Sequence, residues 1–245
     1  MNRYMRADFH RIFRRIPRYI ALGILFAALA AIMLFLAKGR SVYEVVELLT
    51  KYVSFFMLLF GLVEFIFVFN DDFKAKTMQV AIGTGISRKR VVIGKWAEVT
   101  LLCVLDFLVA VVLIIVCCNV RGALFSGEPA GDVLILMLVS LLNIVGSVGL
   151  AMIVTFATQN TTAGMMLYLL TALGITAAVG ESLLEIGPLQ SLNLGNCIFR
   201  RLLDVGKARL LIGTFSLPVF LGMAAWLFLF GFLAIKLFKK KELDF

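Results

Sequence analysis

Six apolar runs, each close to the length a bilayer-crossing helix requires, dominate this chain. A helix spanning the hydrocarbon layer needs roughly 20 consecutive, mostly apolar residues. Ile20–Ala37, Tyr52–Phe69, Ala97–Cys118, Val133–Ala157, Ala163–Gly180 and Phe215–Phe238 meet that requirement. The reading is therefore an all-α integral membrane protein with six transmembrane helices, one domain over residues 1–245. Composition agrees. Of 245 residues, 62% are hydrophobic and 16% charged, whereas a soluble domain is about half apolar and about a quarter charged.

An even number of spans returns the chain to the side on which it began, and charge decides which side that is. Arg3, Arg6, Arg11, Arg14, Arg15 and Arg18 precede the first run. Lys74, Lys76, Arg88, Lys89, Arg90 and Lys95 lie between the second and third, and Lys236, Lys239, Lys240 and Lys241 close the chain. On the opposite side the basic residues are mixed with acids. The positive-inside rule then places both termini in the cytoplasm of a cell-membrane protein. It also accounts for the net charge of +9, so nucleic acid is not an expected partner. Anionic lipid is.

Residues 1–18 form a separate element. Phe9, Ile12, Phe13 and Ile16 recur at helical spacing, with arginines and His10 over much of the remaining surface. That pattern predicts an amphipathic helix lying in the interface, with Pro17 turning the chain into the first span. On the outer side, only residues 181–214 are long enough to hold structure. Gly187-Pro188 breaks the chain there, and Leu192 to Leu203 predicts a short amphipathic helix that stops at Gly206.

The loop over residues 71–95 is longer than two membrane helices need for a connection. Asp71 or Asp72 is placed to cap a short helix over Phe73–Ile82, Gly83 to make its C-terminal turn, and Ser87 to cap the helix entering the third span. Phe73, Thr77, Val80 and Ala81 would share one face, suited to a groove on another protein. Trp96 stands where an interfacial aromatic belongs.

Two acids fall inside the spans. At 1.5 Å per residue, Glu64 is about 9 Å and Asp106 about 15 Å from the cytoplasmic ends of their runs. Ionised groups at such depths must face a bundle interior or a cavity; they either line a polar path or pair with polar neighbours. Asn143 in the fourth span reads as a hydrogen bond between helices. Gly146, Ser147, Gly149 and Ala151 read as a close-packing surface.

No catalytic, cofactor or metal site emerges. The four cysteines and the single His10 show no ligand spacing, although Cys117 or Cys118 could meet Cys197. Gly94-Lys95 is followed by Trp96 rather than Ser or Thr and follows no strand, so it is not a phosphate-cradling loop. Asn160-Thr161-Thr162 matches a glycosylation sequon but falls in a cytoplasmic loop.

Taken together, this layout resembles the permease subunits of type-2 ABC exporters across nearly the whole chain. Within the loop, Asp72-Phe73 to Lys76-Thr77, Gly83-Thr84, Ile86-Ser87-Arg88 and Gly94-Lys95 look like that family's pattern, with Lys76 where glycine is more usual. The resemblance implies a coupling helix whose residues Asp72, Phe73, Lys76, Thr77, Met78, Val80, Ala81, Ile82, Ser87 and Arg88 contact a separate ATPase subunit. That subunit would carry the ATP and magnesium. A second, identical or different, permease subunit would complete the substrate path. Small permeases of this kind export antimicrobial or amphipathic peptides, often for self-protection. The alternatives are a proton-coupled secondary transporter using Glu64 and Asp106, and an intramembrane enzyme, for which the chain offers no HExxH or GxSxG motif.

Overall fold

In the computed structural model the chain is described over residues 2–36, 42–74, 77–120, 122, 128–185 and 194–240. Its elements are α1 (Asn2–Phe13), α2 (Ile16–Leu36), α3 (Val42–Lys74), α4 (Thr77–Gly83), α5 (Arg88–Val120), α6 (Glu128–Thr158), α7 (Thr161–Ala172), α8 (Ile175–Leu184), α9 (Phe199–Leu211) and α10 (Leu217–Lys240). A short 3-10 turn, Leu194–Cys197, precedes α9. No strand occurs among the described residues. Five helices are long and apolar enough to cross a membrane, and the bent pair α7–α8 would make a sixth.

That bend departs from the straight fifth span expected over Ala163–Gly180. Gly174 takes a left-handed conformation at φ 85°, which a residue with a side chain rarely adopts. The axes of α7 and α8 consequently differ by 71°. With 12 residues, α7 is about 18 Å long, far short of a full crossing. Breaking a helix strands carbonyls. Asn143 on α6 donates an amide hydrogen to the carbonyl of Ala172 at 3.2 Å. At the other end of α7, the Asn160 side chain accepts from the backbone N–H groups of Thr162 and Ala163. Within the sequon, then, the asparagine acts as a helix cap.

One core runs through α2, α3, α5, α6 and α7, with contributions from α1, α4 and α10. An aromatic ladder closes one end of it. Phe65 meets Phe69 at 4.6 Å between centroids, Phe69 meets Phe156 at 5.9 Å, and Phe156 meets Phe238 at 4.8 Å. The C-terminal turns of α3, α6 and α10 therefore converge with the start of α5, where Arg88 donates to the carbonyls of Phe238 and Lys239. This is also the end where α1 packs on α5; it is called the α1 end below.

The opposite end is built by α9 and α10. Phe199, Leu203, Val219 and Met223 form a small second core. The helix expected to stop at Gly206 instead continues to Leu211. Gly206 lies inside it as a contact point, where an added Cβ would meet Val219 at 3.5 Å and Met223 at 3.7 Å. Residues 186–193, including Gly187, Pro188 and Leu192, lie outside the described residues. All four cysteines are free: Cys103, Cys117 and Cys118 are buried and Cys197 is exposed.

The glycines of α6 make its neighbours' close approach possible. A Cβ at Gly146 would lie 2.1 Å from the ring of Phe199, and one at Gly149 would lie 3.1 Å from Trp96. Gly146→Ala should therefore destabilise the protein by about 1–3 kcal/mol through overpacking. Gly23→Ala, with nothing within 4 Å of the new carbon, should leave stability unchanged or slightly raised. Thermal unfolding of both variants in detergent micelles measures the difference.

Candidate functional site

At the α1 end, two groups of buried charges flank the segment between α3 and α5. Glu64 is 0% exposed and Arg18, two residues into α2, is 3% exposed. The guanidinium grips the carboxylate through two nitrogens. Arg18 Nε donates to both oxygens at 3.0 Å, and Nη2 donates to Oε1 at 2.7 Å. This planar, two-point geometry is available to arginine and not to lysine. Arg18 also lies over the rings of Phe13 and Tyr19, 5.3 and 5.5 Å from their centroids. Asp106, 4% exposed, is the electrostatic neighbour of both partners. Its Oδ2 has no hydrogen-bond partner among the described residues.

The second group joins α1 to α5. Lys95 is fully buried and pairs with Asp8 of α1 and, at 3.2 Å, with Glu98. Asp8 also holds Arg11 at 2.6 Å. Two acids and two bases thus compensate one another. Without such pairing, Lys95 and Glu98 would each carry a desolvation cost of several kcal/mol.

These partners correct two sequence expectations. Arg18, expected within a basic interfacial segment, is buried, as is Asp8 of the same segment, and both tie it to the bundle. Helix α1 ends at Phe13; Ile16, read as part of its apolar stripe, begins α2 and is 71% exposed. The chain breaks at Arg14 and Arg15, ahead of Pro17. The proline sits in the first turn of α2, where a missing N–H costs nothing.

The hairpin between α3 and α5 also differs in detail from its sequence reading. Phe73 does not start a separate helix, because α3 continues through Asp72 and Phe73 to Lys74. The short helix α4 begins at Thr77. Its C-terminal turn is made by Gly85 at φ 95° rather than by Gly83. The Gly85 N–H bonds the Ile82 carbonyl at 3.0 Å and the Ile86 N–H bonds the Ala81 carbonyl at 3.2 Å, the paired pattern that satisfies a helix's last carbonyls. Met78 and Ala81 are not docking surface. They are buried, Met78 within the main core, and Ile82 is half-buried against it. Val80 projects outward at 65% exposed. Lys76 and the side chains of Asp72, Phe73 and Thr77 lie outside the described residues.

Two more expected site residues have internal partners. Arg88 bonds the last carbonyls of α10 at 2.8 and 3.1 Å, a favourable place for a cation at a helix C-terminus. Ser87 is exposed, and its carbonyl accepts the first bonds of α5, from Arg90 and Val91. Trp96, read as an interfacial aromatic, is half-buried between α6 and α10. Its Nε1 donates to the Val145 carbonyl at 3.4 Å, and a Cβ at Gly231 would come within 2.9 Å of its ring.

Among the described residues no group of His, Cys, Asp and Glu is placed to hold a metal ion. The arrangement offers a mechanical linkage. Met78 of α4 packs into the core, Glu64 of α3 holds Arg18, and Arg88 at the start of α5 bonds the end of α10. No known family's sequence model matches the chain, and no curated protein matches it.

The Arg18–Glu64 pair yields a sharp expectation. Arg18→Gln or Glu64→Gln alone strands one buried charge and should cost about 3–5 kcal/mol. The double substitution removes both charges and should recover much of that loss. A double-mutant cycle on thermal unfolding in micelles reads the coupling, and additive single effects would contradict the pairing.

Proposed function

We propose that this chain is the membrane-spanning permease subunit of an ATP-driven exporter of the ABC type. In this reading it sits in the cell membrane with both termini in the cytoplasm. The hairpin carrying α4 docks on a separate ATPase subunit, and a second permease copy or relative completes the pathway.

The observation that carries the reading is the construction of the hairpin. A merely connecting loop would need no buried anchor. This one is pinned to the core by Met78 and Ile82, closed by a paired C-terminal turn, and presents Val80 outward. It lies at the end where Arg88, Lys89, Arg90, Lys239 and Lys240 gather, the end that charge assigns to the cytoplasm. Nucleotide-driven approach of the ATPase subunits would then push α4, and the rigid helices behind it would change between two arrangements. Bond chemistry would belong to the partner. Amphipathic or antimicrobial peptides, or hydrophobic compounds, are the proposed cargo class, resting on the resemblance alone.

A proton-coupled carrier is the second reading, and one observation favours it: the buried, unpartnered Oδ2 of Asp106. Against it, Glu64 is held by Arg18 and has no exposed surface. Affinity purification from native membranes separates the two. A permease should bring with it a nucleotide hydrolase whose activity is sensitive to vanadate, whereas a carrier should respond to a proton gradient.

Phe73→Asp, or deletion of Thr77–Val80, should abolish stimulation of that hydrolase and export while leaving membrane insertion intact. Normal stimulation and export in both variants would refute the assignment.

A further inference from the structure

The opposite end of the bundle contains a polar cavity that the hairpin does not use. Its volume is about 90 Å³, and it is walled by residues of α3, α6, α7 and α9. Ser54, Ser140 and Asn143 stand on one side; Arg200, Asp204 and Lys207 of α9 stand on the other. The spacing of the latter three, i, i+4 and i+7, puts them on one helix face.

Depth makes these charges informative. Phe199, immediately before Arg200, packs edge-on against Phe230 with centroids 6.0 Å apart, and its ring fills the notch left by Gly146. Gly146 and Phe230 both lie about 20–30 Å from the start of their helices at 1.5 Å per residue. The first turn of α9 is therefore near the middle of the bundle, and the helix runs outward from there beside α10. An ionised side chain at that depth must be paired or face a wet cavity. Arg201 is paired, with Glu181 at 2.7 Å. Arg200, 38% exposed, has only a long 3.8 Å contact to Asp204, itself 55% exposed, so both reach the open mouth of the cavity. Lys207 has no ion-pair or hydrogen-bond partner among the described residues.

The hydrogen-bonding groups of the wall select the ligand's sign. The Ser140 hydroxyl donates to the Leu136 carbonyl at 2.9 Å and lies 3.1 Å from the Ser54 hydroxyl. One amide hydrogen of Asn143 goes to Ala172. The donors left over are the second Asn143 N–H and the two cations, and the α9 wall carries a net charge of +1 (Arg200 and Lys207 against Asp204). Two bases against one acid favour an anion over a cation there. An acceptor-rich anion matches. A cavity of this size has room for a few waters, or for one tetrahedral oxyanion.

We propose that this cavity binds a phosphate-type oxyanion, gripped by Arg200 and Lys207 and oriented by Asn143, presented either as a lipid headgroup or as a free ion. The site does not depend on the ATPase-coupled reading, because none of its residues belongs to the α4 hairpin.

The test uses the full chain, stripped of native lipid in a neutral detergent. It is titrated with short-chain phosphatidylglycerol and, separately, with inorganic phosphate, and binding is read by native mass spectrometry and calorimetry. One probe should bind saturably at one equivalent, and Arg200→Gln with Lys207→Gln should weaken it roughly tenfold or more, as expected for loss of charge-assisted hydrogen bonds. Asp204→Asn removes the acid competing for the same bases and should tighten binding several-fold, a gain that misfolding cannot produce. Arg201→Gln, outside the cavity, should change nothing. Lipid binding that phosphate does not displace assigns a headgroup site, and saturable phosphate binding assigns a free-ion site. No saturable binding of either probe, unchanged binding in the double variant, or weaker binding in Asp204→Asn overturns the proposal.

Discussion

Arg18 and Glu64 hold one another in a part of the chain where an unpaired charge would be costly. At an effective dielectric near 20, two unit charges 4 Å apart attract by about 4 kcal/mol, while desolvation costs several kcal/mol per ion. The pair therefore offsets only part of the cost of its own burial. Its consequence is positional. The two-nitrogen grip admits one register of α2 against α3, and α2 in turn carries α1, whose Asp8 reaches Lys95 of α5. Four elements around the hairpin are thus placed by charges that cannot be separated cheaply.

The two ends of the bundle solve different problems. At the α1 end, ion pairs and a run of tilted and edge-on phenylalanine contacts hold α3, α5, α6 and α10 around a short anchored helix. At the other end the helices are broken. The half-length α7 stops at Gly174, and α9 starts near mid-depth and runs outward. Interrupted backbone at membrane depth is tolerated where protein or a water-filled cavity satisfies it, and the amide of Asn143 and the polar wall beneath α9 meet that condition. Under the proposed permease reading, a rigid end and a polar, interrupted end would be complementary parts, one driven and the other opening.

Much of this architecture is legible in the sequence, and the remainder is hidden for physical reasons. The long apolar runs announce themselves because hydrocarbon imposes a minimum length, and the glycines of α6 because close packing needs them. The bend at Leu173-Gly174 was missed because one glycine within an apolar run looks the same whether or not it adopts a left-handed conformation. Arg18 was counted within a basic segment, since counting charge does not say which arginine turns inward. A signal was present: Asp8 is the one acid among residues 1–18, and Glu64 required a cation from somewhere. Ala81 was expected on the docking face of a Phe73–Ile82 helix, and Met78 among the contacts the resemblance implies, because so short a helix offers too few turns for periodicity to separate its two faces.

The claim that the buried ion pair positions the elements around the hairpin is tested most directly by amide hydrogen exchange. The full-length protein in lipid nanodiscs would be compared with Glu64→Gln. The account predicts faster exchange concentrated in α1, the first turns of α2, α4 and the first turns of α5, with α8 and α9 unchanged. Acceleration confined to the turns of α3 next to residue 64, or spread evenly over all helices, would contradict it.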